Sequence, residues 1–321
     1  MKQATFEQAH AKDWEAFEDM LAAPKRAARG TDPKGDFPSL YRRICQHLAL
    51  ARDRAYAPDL VDRLNALALR GHHRLYGTQG LSGNRLADFY LRQFPRCVRD
   101  ERLLVALAVA LFFGPLLAIG SAIQIEPDLA YYVLDPGQMA AFQEMYHPAN
   151  LRPGFREADS NVMMFAFYIW NNVRIGFQTF ASGLLFGLGT VFYLVFNGVQ
   201  IGAVAGYLTQ TGFGGPFWSF VSGHSAAELT AIVLSGAAGL RLGAALIAPG
   251  RLTRGSALRA AARSAVRLVY GAATLFTLAA FIEAFWSPIG ALPGPLKYAV
   301  GLAMWGALVA YLGLAGRSRA A

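Results

Sequence analysis

The sequence predicts an all-α fold: a polytopic membrane helix bundle of about six spans, preceded by a cytoplasmic helical domain. Three observations carry this. Long apolar blocks repeat from Leu103 to Ala315, whereas residues 1–102 read as an ordinary polar protein. Of the 321 residues 54% are hydrophobic and the mean hydropathy is +0.30, more apolar than soluble domains usually are. The polar part shows helical spacing of its apolar residues and no strand-like alternation. The expected division is therefore 1–102, helical and cytoplasmic, and 103–321, transmembrane. The first apolar run begins about a hundred residues in, too late for a cleaved signal, so Leu103 to Ile125 must act as an internal insertion signal.

In the polar part, Phe6, Trp14, Phe17 and Leu21 lie near one face of a first helix. Pro24 to Pro38 interrupts it with glycine, proline and charge. Leu40 to Ala55 forms a second amphipathic helix. Pro58 to Gly77 forms a third, with proline suited to a helix start. A fourth, around Asn84 to Phe94, runs into FPRCVRDE and the membrane. About 90 residues of this kind suffice for a modest core. His72 and His73 are adjacent, so they point to different helix faces and read as solvated or half-buried rather than as ligands. Cys45 and Cys97 are the only cysteines, which supports neither a disulfide framework nor a cysteine-based zinc site.

About 20 apolar residues at ~1.5 Å each cross the hydrocarbon core. Leu103–Ile125, Phe217–Ile247, Leu268–Trp286 and Leu296–Ala315 meet this length. Residues 161–209 hold two more crossings. The preferred parse is Asn161–Phe180 and Ser182–Thr209, which puts Ala181, Ser182 and Gly183 at a turn. The alternative is Val173–Phe196 with a short return from Val199 to Phe220.

Orientation follows from lysine and arginine in short loops. Residues 241–267 carry six arginines and no acid, Arg317 and Arg319 close the chain, and Arg92, Arg96, Arg99 and Arg102 precede the first span. The loop 126–160 has six acids against Arg152 and Arg156. Six spans with both termini cytoplasmic satisfy every placement, in the cell membrane; five would break at least one. Arg251, Arg254, Arg259, Arg263 and Arg267 fall about four apart, a basic stripe for anionic lipid headgroups, with Leu252, Leu258 and Val266 for the other side. The net charge of +9 is accounted for by these positions. No reading motif or aromatic interleaving accompanies it, so nucleic acid is not an expected partner.

Ionisable groups inside a span cost at least about 2.5–3.5 kcal/mol, so they face protein or water. His224 and Glu228 are four apart and share a helix face. Glu283 sits near the end of the next span. In the six-span topology all three fall in the outer half of the bilayer, as one intramembrane polar pocket. Asn171, Asn172, Arg174 and Asn197 make up a second polar cluster, for which interhelical hydrogen bonding is an equal reading. Gly236, Gly239 and Gly243 suit close helix contact.

Enzyme motifs are missing. HSAAE has the wrong order for a zinc-protease HExxH. His224, Glu228 and Glu283 lack an evident fourth metal ligand, His147 being a weak candidate. No GxSxG elbow, Walker A or dinucleotide fingerprint occurs. No enzymatic activity, metal or cofactor is therefore assigned, and any ATP-derived energy comes through a partner.

The blocks YIWNNVRIGFQTFASG, FNGVQIG, GHSAAEL with TAIVLSGAAGLRLG, and IEAF resemble the stage II sporulation protein M family of integral membrane proteins. KDWEAFEDML, SLYRRICQHLALAR and FPRCVRDE extend the resemblance over nearly the whole chain. It implies a polytopic bacterial or archaeal membrane protein without accepted enzymatic activity, a scaffold or anchor in a cell-envelope complex. The namesake works with peptidoglycan hydrolases during engulfment. Relatives outside spore-formers are often encoded near a MoxR-type ATPase and other membrane proteins, and a homo-oligomer is compatible. Where the family often has glycine after the histidine, this chain has Ser225. The amino-terminal helices mark the longer, non-sporulation branch.

Overall fold

A computed structural model describes residues 2–22, 37–76, 83–147 and 158–317. The expected break at Pro24–Pro38 falls mostly outside these residues, as do Arg152, Arg156 and Arg319. Among the described residues every regular element is helical, and the chain forms two compact units, Met1–Gly83 and Asn84–Ala321.

The first unit holds α1 (Gln3–Ala22), α2 (Phe37–Asp53) and α3 (Pro58–Tyr76). The apolar stripes read from the sequence meet in one core: Phe6, Trp14 and Phe17 from α1, Leu40, Ile44 and Leu48 from α2, and Leu60, Leu64 and Leu67 from α3. Charge stays at the rim, as in the Arg43–Asp13 and Arg63–Glu18 pairs. His72 and His73 are exposed.

In the second unit come α4 (Gly83–Asp88), a π-helical turn (Phe89–Gln93), α5 (Phe94–Asp100) and α6 (Arg102–Ile125). A 3-10 turn (Pro127–Tyr132) and α7 (Pro136–Met145) follow, then α8 (Ala158–Ala181), α9 (Leu188–Gln210), α10 (Gly214–Ile247), α11 (Arg254–Phe285) and α12 (Gly294–Leu314). The break between α8 and α9 falls where the preferred parse places it. Ser182–Leu184 makes a 3-10 turn, and Gly187, at φ +80°, turns the chain into α9. Backbone of that sign strains any residue with a Cβ.

Two expectations are corrected. The unit boundary lies at 83/84 rather than 102/103, because Phe94, Cys97 and Val98 of α5 bury against α11 and α12. The helix of the expected Leu268–Trp286 span begins earlier: the arginine-rich stretch from Arg254 is the start of α11, a continuous 32-residue helix. At ~1.5 Å per residue, α11 is about 48 Å long and overruns a ~30 Å hydrocarbon core. Among the described residues α6, α9, α10, α11 and α12 are each long and apolar enough to cross a membrane, which fits the expected helical membrane bundle of about six spans. Asn171, Asn172, Arg174 and Gln178 keep α8 out of this set, although it has 24 residues and packs against α10 and α11.

At the centre stands α10, in contact with α6, α8, α9, α11 and α12. Small residues let it get there. A Cβ on Gly239 or Gly243 would collide with backbone at Phe180 or Gly187. On α9, Gly198, Gly202 and Gly206 lie against backbone of α6 at Phe112, Leu116 and Gly120. Lipid is as apolar as leucine, so close packing rather than the hydrophobic effect must hold such helices together. The outward faces stay apolar, with Leu103, Leu107 and Leu117 on α6 and Leu302 and Val309 on α12 exposed.

Candidate functional site: a polar pocket in the bundle

His224 and Glu228 stand one turn apart on α10, and Glu283 enters from the last turn of α11. One ligand atom from each of the three lies within 4.8 Å of the other two. His224 is 3% exposed. Its Nε2 is 3.7 Å from Glu228 Oε2, too long for a hydrogen bond. Its Nδ1 is 3.1 Å from Ser287 Oγ. In the tautomer with its proton on Nδ1 the ring donates to the hydroxyl and the Nε2 lone pair faces the carboxylates; in the other tautomer the hydroxyl donates to Nδ1.

Ser287 is anchored in turn. Its carbonyl accepts from Lys297 Nζ at 2.7 Å, and Lys297 is buried at the first turns of α12, with Nζ 5.9 Å from the centre of the Trp286 ring. Gly223 makes room for that indole: a Cβ there would collide with it. Phe220 meets the imidazole edge-on, with ring centres 5.5 Å apart. Three helices and a loop thus fix one histidine.

A cavity of about 450 Å³ adjoins the cluster. Its walls come from α6, α9, α10 and α11, and one side is closed by Leu134, Gln138, Phe142 and Tyr146. Those four belong to the segment after α6. That segment folds because Asp135 caps α7, its side chain accepting from the Gln138 backbone while Gln138 reaches back. Gln143 Nε2 donates to Tyr207 Oη at 2.7 Å, and Tyr146 packs on Phe217 and Phe220. Burial raises the Tyr146 hydroxyl far above its ordinary range, so it stays protonated. Among the described residues, Glu283 Oε2 and Gln200 Oε1 are buried without hydrogen-bond partners. Both residues line the cavity.

The other expected sites are less convergent. Asn171 donates to Asn172 at 3.2 Å, and Asn172 is buried. Asn197 bonds back to Tyr193 O of its own helix and Arg174 is exposed, so the Asn171–Asn172 pair is not drawn together with Arg174 and Asn197. Arg251, Arg254, Arg259, Arg263 and Arg267 are all exposed, the last four along the first half of α11. The buried side of that stretch is Ala257, Ala261, Ala265 and Leu268, not the expected Leu252 and Val266, which are exposed. His147 is exposed near Phe213 and does not join His224.

Sequence reasoning missed Ser287, Lys297 and the capping segment, and grouped Gln200 with Asn197 rather than with the triad whose cavity it lines. Asp135-Pro-Gly-Gln138 was the one legible signal, a capping box. A second triad, His10, Asp13 and His47, lies in the first unit. It is unsuited to a metal: Trp14 Nε1 donates to His47 Nδ1 at 3.1 Å, which leaves the ring proton on Nε2, and Asp13 is paired with Arg43 at 3.0 Å.

The architecture defines a class: a multi-pass helical membrane protein with a polar pocket inside its bundle and a separately cored helical unit. Residues 103–288 match the family model of Stage II sporulation protein M, and the chain belongs to that family. Residues 4–77 match a domain of unknown function (DUF8413). No curated protein and no solved structure matches the chain.

Proposed function

We propose that this protein is a non-enzymatic membrane anchor that assembles a cell-envelope complex, with the 24-residue α8 as a sixth crossing and both termini in the cytoplasm. The observation that supports it is the division into two units with independent cores. A helical unit that needs nothing from the bundle for its own core is free to present its charged surface to a partner. The bundle supplies the fixed point in the lipid. The partner class is an envelope membrane protein or a MoxR-type ATPase, since the chain has no nucleotide-binding fingerprint of its own. Crosslinking in native membranes followed by purification should recover such a partner on the first unit. Recovery of self-contacts alone would overturn the reading. Single cysteines placed in the 126–147 segment and near Arg263 should label from opposite faces of sealed cells.

The pocket favours a second reading, that the bundle binds or passes a proton or cation. Under it, Glu228→Gln and Glu283→Gln abolish cation flux in proteoliposomes while protein abundance is kept. Loss of abundance in both would make the acids structural.

A further inference from the structure

We infer that His224, Glu228 and Glu283 form a binding site for one zinc ion, with the remaining coordination positions open to the adjacent cavity. The inference goes beyond the anchoring role and does not depend on it.

The donor set is the first support. One imidazole nitrogen and two carboxylates suit zinc, and three protein ligands with an open position is the pattern of its accessible sites. Bonds of ~2.0–2.2 Å put donors within about 4.4 Å of one another. The three ligand atoms already lie within 4.8 Å, so rotation of the two carboxylates closes the difference.

The hydrogen bonding around the cluster points the same way. Ser287 Oγ holds Nδ1 at 3.1 Å, which orients the ring with Nε2 toward the acids, and zinc selects the tautomer in which Nδ1 donates to Ser287 and Nε2 carries the lone pair. A ligating histidine is commonly held by its other nitrogen in this manner. The 3.7 Å gap between Nε2 and Glu228 is unoccupied by a hydrogen bond and faces the shared centre.

The third support comes from polar groups left without partners. Two buried acceptors at the cavity, Glu283 Oε2 and Gln200 Oε1, have no donor among the described residues. Buried acceptors without donors are costly, and an ion or its bound water satisfies both. Lys297 does not fill this role, because its ammonium is directed at the Ser287 carbonyl. The first-unit triad, with its histidine proton on the wrong nitrogen, provides an internal contrast.

The test uses the full chain, purified in detergent after chelation and titrated with Zn(II), with Co(II) as the spectroscopic reporter. The expected result is one zinc per chain and visible Co(II) bands of low coordination number. Both should be lost in His224→Ala and Glu283→Gln and unchanged in His10→Ala. Ser287→Ala, which keeps all three ligands, should weaken affinity about 10- to 100-fold. If His224→Ala fails to accumulate, Ser287→Ala and the wild-type Co(II) spectrum decide. Absence of saturable zinc on folded wild-type protein would overturn the site in favour of two acids sharing a proton. Zinc binding that survives in His224→Ala or Glu283→Gln would overturn it as well.

Discussion

Cys97 and His47 show how one side chain's surroundings become measurable. Burial pushes the Cys97 thiol from 9.0 up to about 11, against a smaller opposite pull from Arg267, and its Sγ lies 3.6 Å from Ser264 O. The thiolate is the reactive form. With Cys45 half-buried in the other unit, a maleimide at neutral pH should label Cys45 first and leave Cys97 intact until denaturation. Mass mapping of the two labelled peptides checks this. His47 is moved the other way: burial, and next the neighbouring His10, lower it from 6.5. Above that value both folded and unfolded chains carry it neutral, and its packing contributes in full. Below it the unfolded chain binds the proton first, so the first unit loses stability as pH falls from about 6.5 toward the lower folded value. Hydrogen exchange in α1 and α2 of the intact protein should quicken over that interval. His47→Gln should flatten the dependence. The sequence named Trp14 as a core residue, yet its bond to His47 is formed across 33 positions and has no local signature.

Among the helices, small residues decide which faces meet. Gly202 has no room for a Cβ against Leu116 of α6, and Gly183 has none against Gly239 of α10. Overpacking a filled interface costs about 1–3 kcal/mol. Gly202→Val and Gly183→Val should each lower the thermal unfolding midpoint in detergent, whereas Gly306→Val, on an open face of α12, should leave it within error. The glycine spacing on α10 was legible, because three- and four-residue intervals return to one helix face. Its partners were not, since which helix approaches is a matter of topology. The same holds for α11: its arginines at intervals of four were readable as a stripe, but the alanines opposite them mark the buried side only once α11 is seen to continue into the bundle. At the other end of the unit, Arg99 donates to Leu312 O at 2.7 Å in the last turn of α12, where helix carbonyls lack partners. Arg99→Ala should loosen that helix end, seen as faster exchange at residues 311–316 with α10 unaffected.

Taken whole, the chain was readable wherever the lipid imposes a rule that acts on consecutive residues. Length and hydropathy marked the apolar helices, and the cost of a buried charge singled out His224, Glu228 and Glu283 before any coordinates. That His224 and Glu228 share a helix face came from spacing alone. Tertiary structure decided the rest, because it depends on residues brought together from distant positions. Ser287 and Lys297 hold the imidazole, the segment from 127 to 146 closes the cavity, and Gln200 adds an unmatched acceptor. Each of these is ordinary in its own stretch of sequence and acquires a role only through packing. The second polar set illustrates the converse. Asn171, Asn172, Arg174 and Asn197 look alike in sequence, but helix rotation buries Asn172, turns Arg174 outward and sends Asn197 back to its own backbone. A one-dimensional pattern fixes which groups must avoid lipid, and the rotation and docking of the helices fix which partners they find.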